Sequence, residues 1–180
     1  MRQPVTAARV EQFMKALGSV VRSPARVFFV GGASAVLLGW RNSTIDIDLK
    51  AIPDRDDLLR QLTALKERLN INIELASPDD FIPELPGWED RSLFVRQEGK
   101  LTFLHYDFYA QALAKIERGH DHDLKDVQEM IQSNLIEPGR LFELFNQIEN
   151  DIQKYPALNA ASFRRAVELV IGRTSERKST

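Results

Sequence analysis

The sequence predicts an α+β (mixed α/β) fold, in which a mixed β-sheet with flanking helices precedes a C-terminal helical bundle. Apolar residues in the first half switch between helical spacing and strict alternation, whereas only helical spacing recurs after residue 106. The 180 residues, 43% of them hydrophobic, suit one core with a helical extension. We therefore predict an α/β core with an N-terminal helix over 1–105, a helical region over 106–172 and a flexible tail over 173–180.

The composition excludes several classes of site. The chain has no cysteine, which rules out disulfides, thiolate zinc sites and cysteine nucleophiles. The net charge of -2 provides no global attraction for nucleic acid. No stretch approaches the roughly 20 apolar residues that a membrane span needs. We therefore expect a cytoplasmic protein with no membrane partner.

In the first half, helical spacing and period-2 alternation follow each other closely. Ser23-Pro24 ends the first helix, and the apolar strand after it runs directly into Gly31-Gly32. The predicted elements are a helix over 6–22, a strand over 26–30, a short helix over 33–40, a strand over 43–50, a helix that is capped by residues 53–57 and ends near residue 69, and a strand over 70–76.

The second half begins with loops and a hairpin and then becomes helical. Two short apolar runs flank Gln97-Glu98-Gly99-Lys100, a sequence typical of a hairpin connection. Glycine or proline near residues 119, 138 and 156 separates the helices that follow. The predicted elements are loops over 77–80 and 83–90, strands over 93–96 and 101–104, and helices over 107–118, 122–133, 138–152 and 160–172.

Asp46 and Asp48 are the residues that most directly suggest chemistry. Residues two apart in a strand point to the same face, so these carboxylates lie side by side while Ile45, Ile47 and Leu49 face the other way. Two adjacent carboxylates repel each other, and Mg²⁺ would relieve that repulsion because it binds hard oxygen ligands. The alternative is that Asp-x-Asp belongs to a solvated sheet face.

The turn before these aspartates suggests an anion site. Gly31 and Gly32 follow a buried strand and expose backbone N–H groups, and Ser34 adds a hydroxyl donor. Metal and phosphate sites at neighbouring strand ends are what phosphoryl transfer requires. The alternative is an ordinary turn.

Together these residues resemble the nucleotidyltransferase superfamily, which includes minimal, aminoglycoside and abortive-infection toxin-like members. The shared pattern is a Gly-Gly or Gly-Ser turn, then Asp-x-Asp or Asp-x-Glu on the next strand, then a third carboxylate on a later strand. Arg41-Asn42-Ser43-Thr44 before Asp46 is similar to the version found in the toxin-like branch. The resemblance implies a nucleotidyltransferase-type mixed sheet.

The resemblance also implies roles for individual residues. Asp46, Asp48 and Glu74 would be catalytic and would bind Mg²⁺, as two ions, or Mn²⁺, with Glu74 acting as base on the incoming hydroxyl. The alternative for Glu74 is an ordinary exposed strand residue, and for Arg41 a solvated turn residue. The residues that would bind the nucleoside triphosphate are Gly31, Gly32, Ser34, Arg41, Thr44, Lys115 and Asp123.

Lys115 and Asp123 form a second point of resemblance to toxin-like members, which carry Lys, a downstream Arg and Asp-x-x-Asp on helices after the sheet. Asp123 and Asp126 are three residues apart and share a helix face. Lys115 could reach a phosphate. Alternatively, it forms a Lys–Asp bridge between two helices. By contrast, we expect His105 to be a packed or hydrogen-bonded residue rather than a catalyst.

The function implied is transfer of a nucleoside monophosphate from NTP–Mg²⁺ to a hydroxyl of a small molecule, a protein or an RNA 3′ end, with a cognate antitoxin or toxin as a candidate partner. The first alternative is a catalytically degenerate protein of the same fold that acts as a binding or partner subunit. The second is nucleic-acid binding through a basic C-terminal cluster. That cluster comprises Arg164, Arg165, Arg173, Arg177 and Lys178.

Overall fold

A computed structural model describes residues 3–177, which form two compact units. We call residues 3–77 and 92–106 the sheet unit, and residues 78–91 and 107–177 the helical unit. No helix within residues 3–177 combines the length and the apolar character needed to cross a membrane.

The sheet unit is built on five strands in the order β3-β2-β1-β5-β4. The sheet is mixed, because β1 pairs antiparallel with β2 and parallel with β5, β2 pairs parallel with β3, and β4 pairs antiparallel with β5. The strands are β1 (Ala25–Val30), β2 (Asp46–Ile52), β3 (Asn72–Leu75), β4 (Leu93–Glu98) and β5 (Leu101–His105).

Three helices of the sheet unit are α1 (Ala7–Val20), α2 (Gly32–Leu38) and α3 (Asp56–Arg68). Phe29 on β1 and Phe103 on β5 stack with ring centroids 5.6 Å apart, and Phe13 from α1 meets Phe103 at 6.5 Å with its edge. These buried rings anchor α1 on one sheet face, because each aromatic side chain removes a large apolar area from water.

The helical unit contains five α-helices within the described residues. Leu141, Leu144, Phe145 and Ile148 lie three or four residues apart and are all buried, as expected for a core-facing helix stripe. The helices are α4 (Trp88–Arg91), α5 (Phe108–Arg118), α6 (Asp121–Gln132), α7 (Pro138–Ile148) and α8 (Ala160–Arg177), with 3₁₀ turns at Pro78–Asp80 and Glu149–Lys154.

The predicted fold class is confirmed, and the differences are local. The hairpin turn is only Gly99-Lys100, because Gly99 adopts a φ of 58° that suits a two-residue turn. The helix predicted over 138–152 changes to 3₁₀ geometry at Glu149, and α8 continues to Arg177 rather than ending at 172. The rest of the predicted tail, residues 178–180, lies outside the described residues.

Candidate functional site

The paired aspartates occupy one face of β2, as the alternation predicts. Asp46 and Asp48 are half-buried, whereas Ile47 and Leu49 are fully buried on the opposite face. Ile45 departs from the predicted pattern, because it precedes β2 and is 79% exposed. In the parallel register of β2 and β3, Asp48 lies beside Glu74 and Asp46 lies beside Asn72. The structure therefore brings all three predicted carboxylates to one patch of the sheet.

Asn72 connects this patch across the two strands. Its Nδ2 donates to Asp46 Oδ1 at 2.5 Å and to Glu74 Oε1 at 2.9 Å. Asn72 and Glu74 are two residues apart on β3 and therefore share a face, but the sequence alone assigned Asn72 no role. The signal that could have identified it is the register of two parallel strands, which alternation alone does not fix.

The donor chemistry of this patch fits Mg²⁺ or Mn²⁺ arriving with a nucleotide. Among residues 3–177, no three His, Asp or Glu side chains converge closely enough to hold a metal by themselves. Magnesium in phosphoryl-transfer sites uses one or two carboxylates and completes its shell with phosphates and water. Asp46 and Asp48, adjacent and half-exposed, supply such a pair.

The glycine turn lies directly beside the second aspartate. Val30, the last residue of β1, pairs with Asp48, and Gly31 follows at a φ of 57°, a conformation that favours glycine. A Cβ on Gly31 would lie 3.6 Å from Asp48 Oδ2, so backbone and carboxylate are close neighbours. The predicted phosphate turn and the predicted metal ligand are therefore adjacent.

Thr44 packs against the second glycine of the turn. A Cβ on Gly32 would lie 2.6 Å from Thr44 Cβ and closer still to its Oγ1. The Thr44 backbone also exchanges two hydrogen bonds with Val5, at 2.7 and 2.9 Å, which fixes the chain just before β2. The structure thus shows Thr44 in a role that shapes the turn.

We expect Gly32→Ala to destabilise the sheet unit by about 1–3 kcal/mol, because the added methyl group overlaps Thr44 and forces the turn apart. Urea unfolding followed by circular dichroism measures this. Gly172→Ala is the matched control, since it also lies in a helix and a Cβ there meets no atom within 4 Å. Equal stability of the two variants would contradict the assigned contact.

Ser34 points inward in this structure. Its Oγ is fully buried, donates to the Phe29 carbonyl at 3.3 Å and lies 2.8 Å from Nδ1 of His105. Burial lowers the pKa of His105 to about 4, so the imidazole is neutral at neutral pH. The expectation that His105 is packed and hydrogen-bonded is confirmed, and the phosphate contact of Ser34 stays a prediction.

The buried His105 predicts a pH dependence of stability. The pKa of His105 is about 4 in the folded chain, whereas its ordinary value, which applies to the unfolded chain, is 6.5. Between pH 4 and pH 6.5 the unfolded chain therefore binds more protons than the folded chain. The free energy of unfolding should therefore fall by up to about 3 kcal/mol as the pH drops from about 6.5 to about 4. Urea midpoints at several pH values measure the slope.

Two variants isolate the contribution of this histidine. His105→Gln should flatten the dependence in that window, whereas His120→Gln should keep it, because His120 is exposed. If His105→Gln retained the full slope, the loss of stability would have to come from other groups.

Lys115 and Asp123 lie in the helical unit and are buried in an ion-pair cluster. Lys115 Nζ lies 3.3 Å from Asp123 Oδ1 and 2.8 Å from Asp126 Oδ2, and Arg118 donates twice to Asp123 at 2.7 Å. Burial raises the pKa of Asp123, but Arg118 and Lys115 outweigh that effect and leave it below its ordinary value. The structure thus shows the helix-to-helix bridge, and phosphate contacts of Lys115 and Asp123 stay predictions.

Arg41 and, in the basic C-terminal cluster, Arg164 make contacts within their own units. Arg41 is half-buried after α2, and its backbone N–H donates to the Ala35 carbonyl at 3.4 Å. Arg164 of the basic cluster binds both carboxylate oxygens of Glu149 and lies over the rings of Phe142 and Phe145, at 5.3 and 5.4 Å. That arrangement serves the packing of the helical unit. Lys178 lies outside the described residues.

Comparisons with known proteins gave one result. A family model described as "Nucleotidyltransferase of unknown function (DUF6036)" matches residues 7–173, a range that contains every residue predicted for the site. The comparisons with curated proteins and with solved structures found no match.

Proposed function

We propose, from the premise that the chain belongs to this nucleotidyltransferase family of unknown function, that it transfers a nucleoside monophosphate from a nucleoside triphosphate to a hydroxyl group and releases pyrophosphate. The observation that carries the proposal is the patch formed by Asp46, Asp48 and Glu74 beside the turn at Gly31. Carboxylates next to a backbone turn that can donate N–H groups are the parts that this reaction needs.

In this proposal, Asp46 and Asp48 hold divalent metal, either Mg²⁺ or Mn²⁺. The metal would supply charge neutralisation for the phosphates and for the leaving pyrophosphate. The backbone N–H groups at Gly31 and Gly32 would donate to phosphate oxygens. Because the turn lies beside Asp48, metal held there would offset the repulsion between this carboxylate and the phosphates.

Glu74 would act as the general base. The acceptor hydroxyl oxygen forms a bond to the α-phosphorus while the bond from that phosphorus to the bridging oxygen of the β-phosphate breaks. The hydroxyl proton passes to a Glu74 carboxylate oxygen, and the electron pair of the broken bond leaves with pyrophosphate. Glu74 is exposed and lies beside Asp48 in the register, so an acceptor can reach it from solvent.

The acceptor is proposed by chemical class only: a hydroxyl of a small molecule, a protein or an RNA 3′ end. The same phosphate machinery serves all three, because it contacts the triphosphate rather than the acceptor. The resemblance to toxin-like members supports a cognate antitoxin or toxin as partner.

The test uses nucleoside triphosphates labelled at the α-phosphate. Wild type, Mg²⁺ and each labelled nucleotide are incubated separately with tRNA, with a protein extract and with aminoglycosides, and transferred label and pyrophosphate are both measured. We expect label to enter one pool with matching pyrophosphate release, and Glu74→Gln to lower that rate while nucleotide binding persists. Metal-dependent nucleotide binding without any transfer would instead favour the catalytically degenerate alternative.

A further inference from the structure

We propose that Asn72 is a positioning residue of this site, which holds the carboxylates of Asp46 and Glu74 at a fixed spacing before metal and nucleotide bind. The inference rests on the proposed function and adds to it a residue on β3. One amide nitrogen donates to both carboxylates, at 2.5 and 2.9 Å. The first and the third carboxylates are thereby joined through a single side chain.

A connection of this kind is needed because Glu74 is the least constrained of the three carboxylates. Strand β3 has four residues and lies at one edge of the sheet, so within the described residues it pairs with a neighbour on one side only. Glu74 is exposed, and a free glutamate side chain samples many rotamers. The hydrogen bond from Asn72 favours the rotamers that keep the Glu74 carboxylate near Asp46.

The chemistry of a primary amide suits this role. Its two hydrogens serve two carboxylates and offset their mutual repulsion. The amide carries no net charge, so it does not compete with a divalent cation as a lysine or arginine at this position would. The bond to Asp46 engages Oδ1. Such supporting hydrogen bonds to metal ligands typically change metal affinity or activity by about 10–100-fold.

The competing explanation is that Asn72 only stabilises the edge strand. In that case its removal would lower the unfolding temperature and leave metal affinity unchanged. A direct measurement of metal binding separates the two explanations, because an edge-strand role would not move it.

The experiment measures the dissociation constant of Mn²⁺ by the electron paramagnetic resonance of free Mn²⁺, in the presence of α,β-methylene nucleoside triphosphates, which cannot be cleaved at the reacting bond. It compares wild type with Asn72→Ala and Asn72→Leu; leucine is similar in shape and has no donor. The control is Gln97→Ala, which removes an amide from β4, the other edge strand, where it accepts from the Thr102 hydroxyl at 2.7 Å.

We expect both Asn72 variants to bind Mn²⁺ about 10–100-fold more weakly than wild type, and Gln97→Ala to bind it normally. Should either folded Asn72 variant bind within about twofold of wild type, the positioning role is overturned while the proposed function stands. Absence of Mn²⁺ binding by wild type would overturn both. The leucine variant keeps the test decisive if the alanine variant does not fold.

Discussion

Asp48→Asn is expected to reduce nucleotidyl transfer by at least about 1000-fold, which corresponds to about 4 kcal/mol of lost transition-state stabilisation. Asp48 lies beside Glu74 in the strand register and beside the Gly31 backbone, so in the proposed site it would stand between the metal, the base and the phosphates. Asparagine keeps the shape and the packing but removes the negative charge that would hold the cation. Pyrophosphate release under saturating nucleotide measures the effect.

The matched control is Asp57→Asn, another aspartate of the sheet unit. Asp57 lies at the start of α3, pairs with Arg55 at 3.2 Å and is about half exposed. The Asp57→Asn substitution should leave the rate unchanged, because an exposed ion pair of this kind contributes little to stability. An Asp48→Asn variant with a near wild-type rate would show that this carboxylate does not take part in the chemistry.

Asp123→Ala is expected to destabilise the helical unit by about 3–5 kcal/mol. The carboxylate is fully buried and accepts hydrogen bonds from Lys115 and Arg118, so its removal leaves the buried Lys115 ammonium with one carboxylate fewer and opens a cavity. Urea unfolding measures the loss. Glu143→Ala removes an exposed pair with Arg140 and should produce no measurable change.

The lowered pKa of Asp123 also predicts that the free energy of unfolding falls in acid. Because the pKa of Asp123 is lower in the folded chain than its ordinary value, its contribution is fully present above that ordinary value. The contribution is lost as the pH falls below about 4 through the folded pKa. Asp123→Asn should therefore be less stable than wild type at neutral pH and should lose less stability on acidification. If wild type and Asp123→Asn lost stability equally on acidification, Asp123 could not be the source of the acid sensitivity.

Much of the fold follows from local pattern. The alternation around Asp46 and Asp48, the apolar run before Gly31 and the helical spacing after residue 106 each reflect one element and its burial. The resemblance to nucleotidyltransferases is confirmed at the level of the family. These features are readable because each depends on residues close together in the chain.

The features that sequence reasoning missed depend on pairing between distant segments. Ser34 appears available until β5 is placed beside β1, which sets His105 opposite Phe29 and next to the Ser34 hydroxyl. Asn72 acquires its two carboxylate partners only through the parallel register of β2 and β3. Periodicity shows which face a residue occupies, but not which residue of another strand lies beside it.

The helical cluster shows a case where spacing left two roles open. Lys115, Asp123 and Asp126 lie within twelve residues, so sequence alone predicted either a phosphate-binding lysine or a bridge between two helices. The structure shows the bridge, since the ammonium is buried against both carboxylates. This burial depends on how the helices pack, which spacing along the chain does not determine, and the phosphate contact of Lys115 stays a prediction.

Asp46 and Asp48 are proposed to bind divalent metal against the phosphates of a nucleotide. Isothermal titration of α,β-methylene nucleoside triphosphates, with Mg²⁺ and with EDTA, tests this claim most directly on wild type and on the Asp46→Asn/Asp48→Asn double variant. We predict that wild type binds at least about 10-fold more tightly with Mg²⁺ and that the double variant loses this dependence. Equal affinity of the two proteins, with or without Mg²⁺, would contradict the claim.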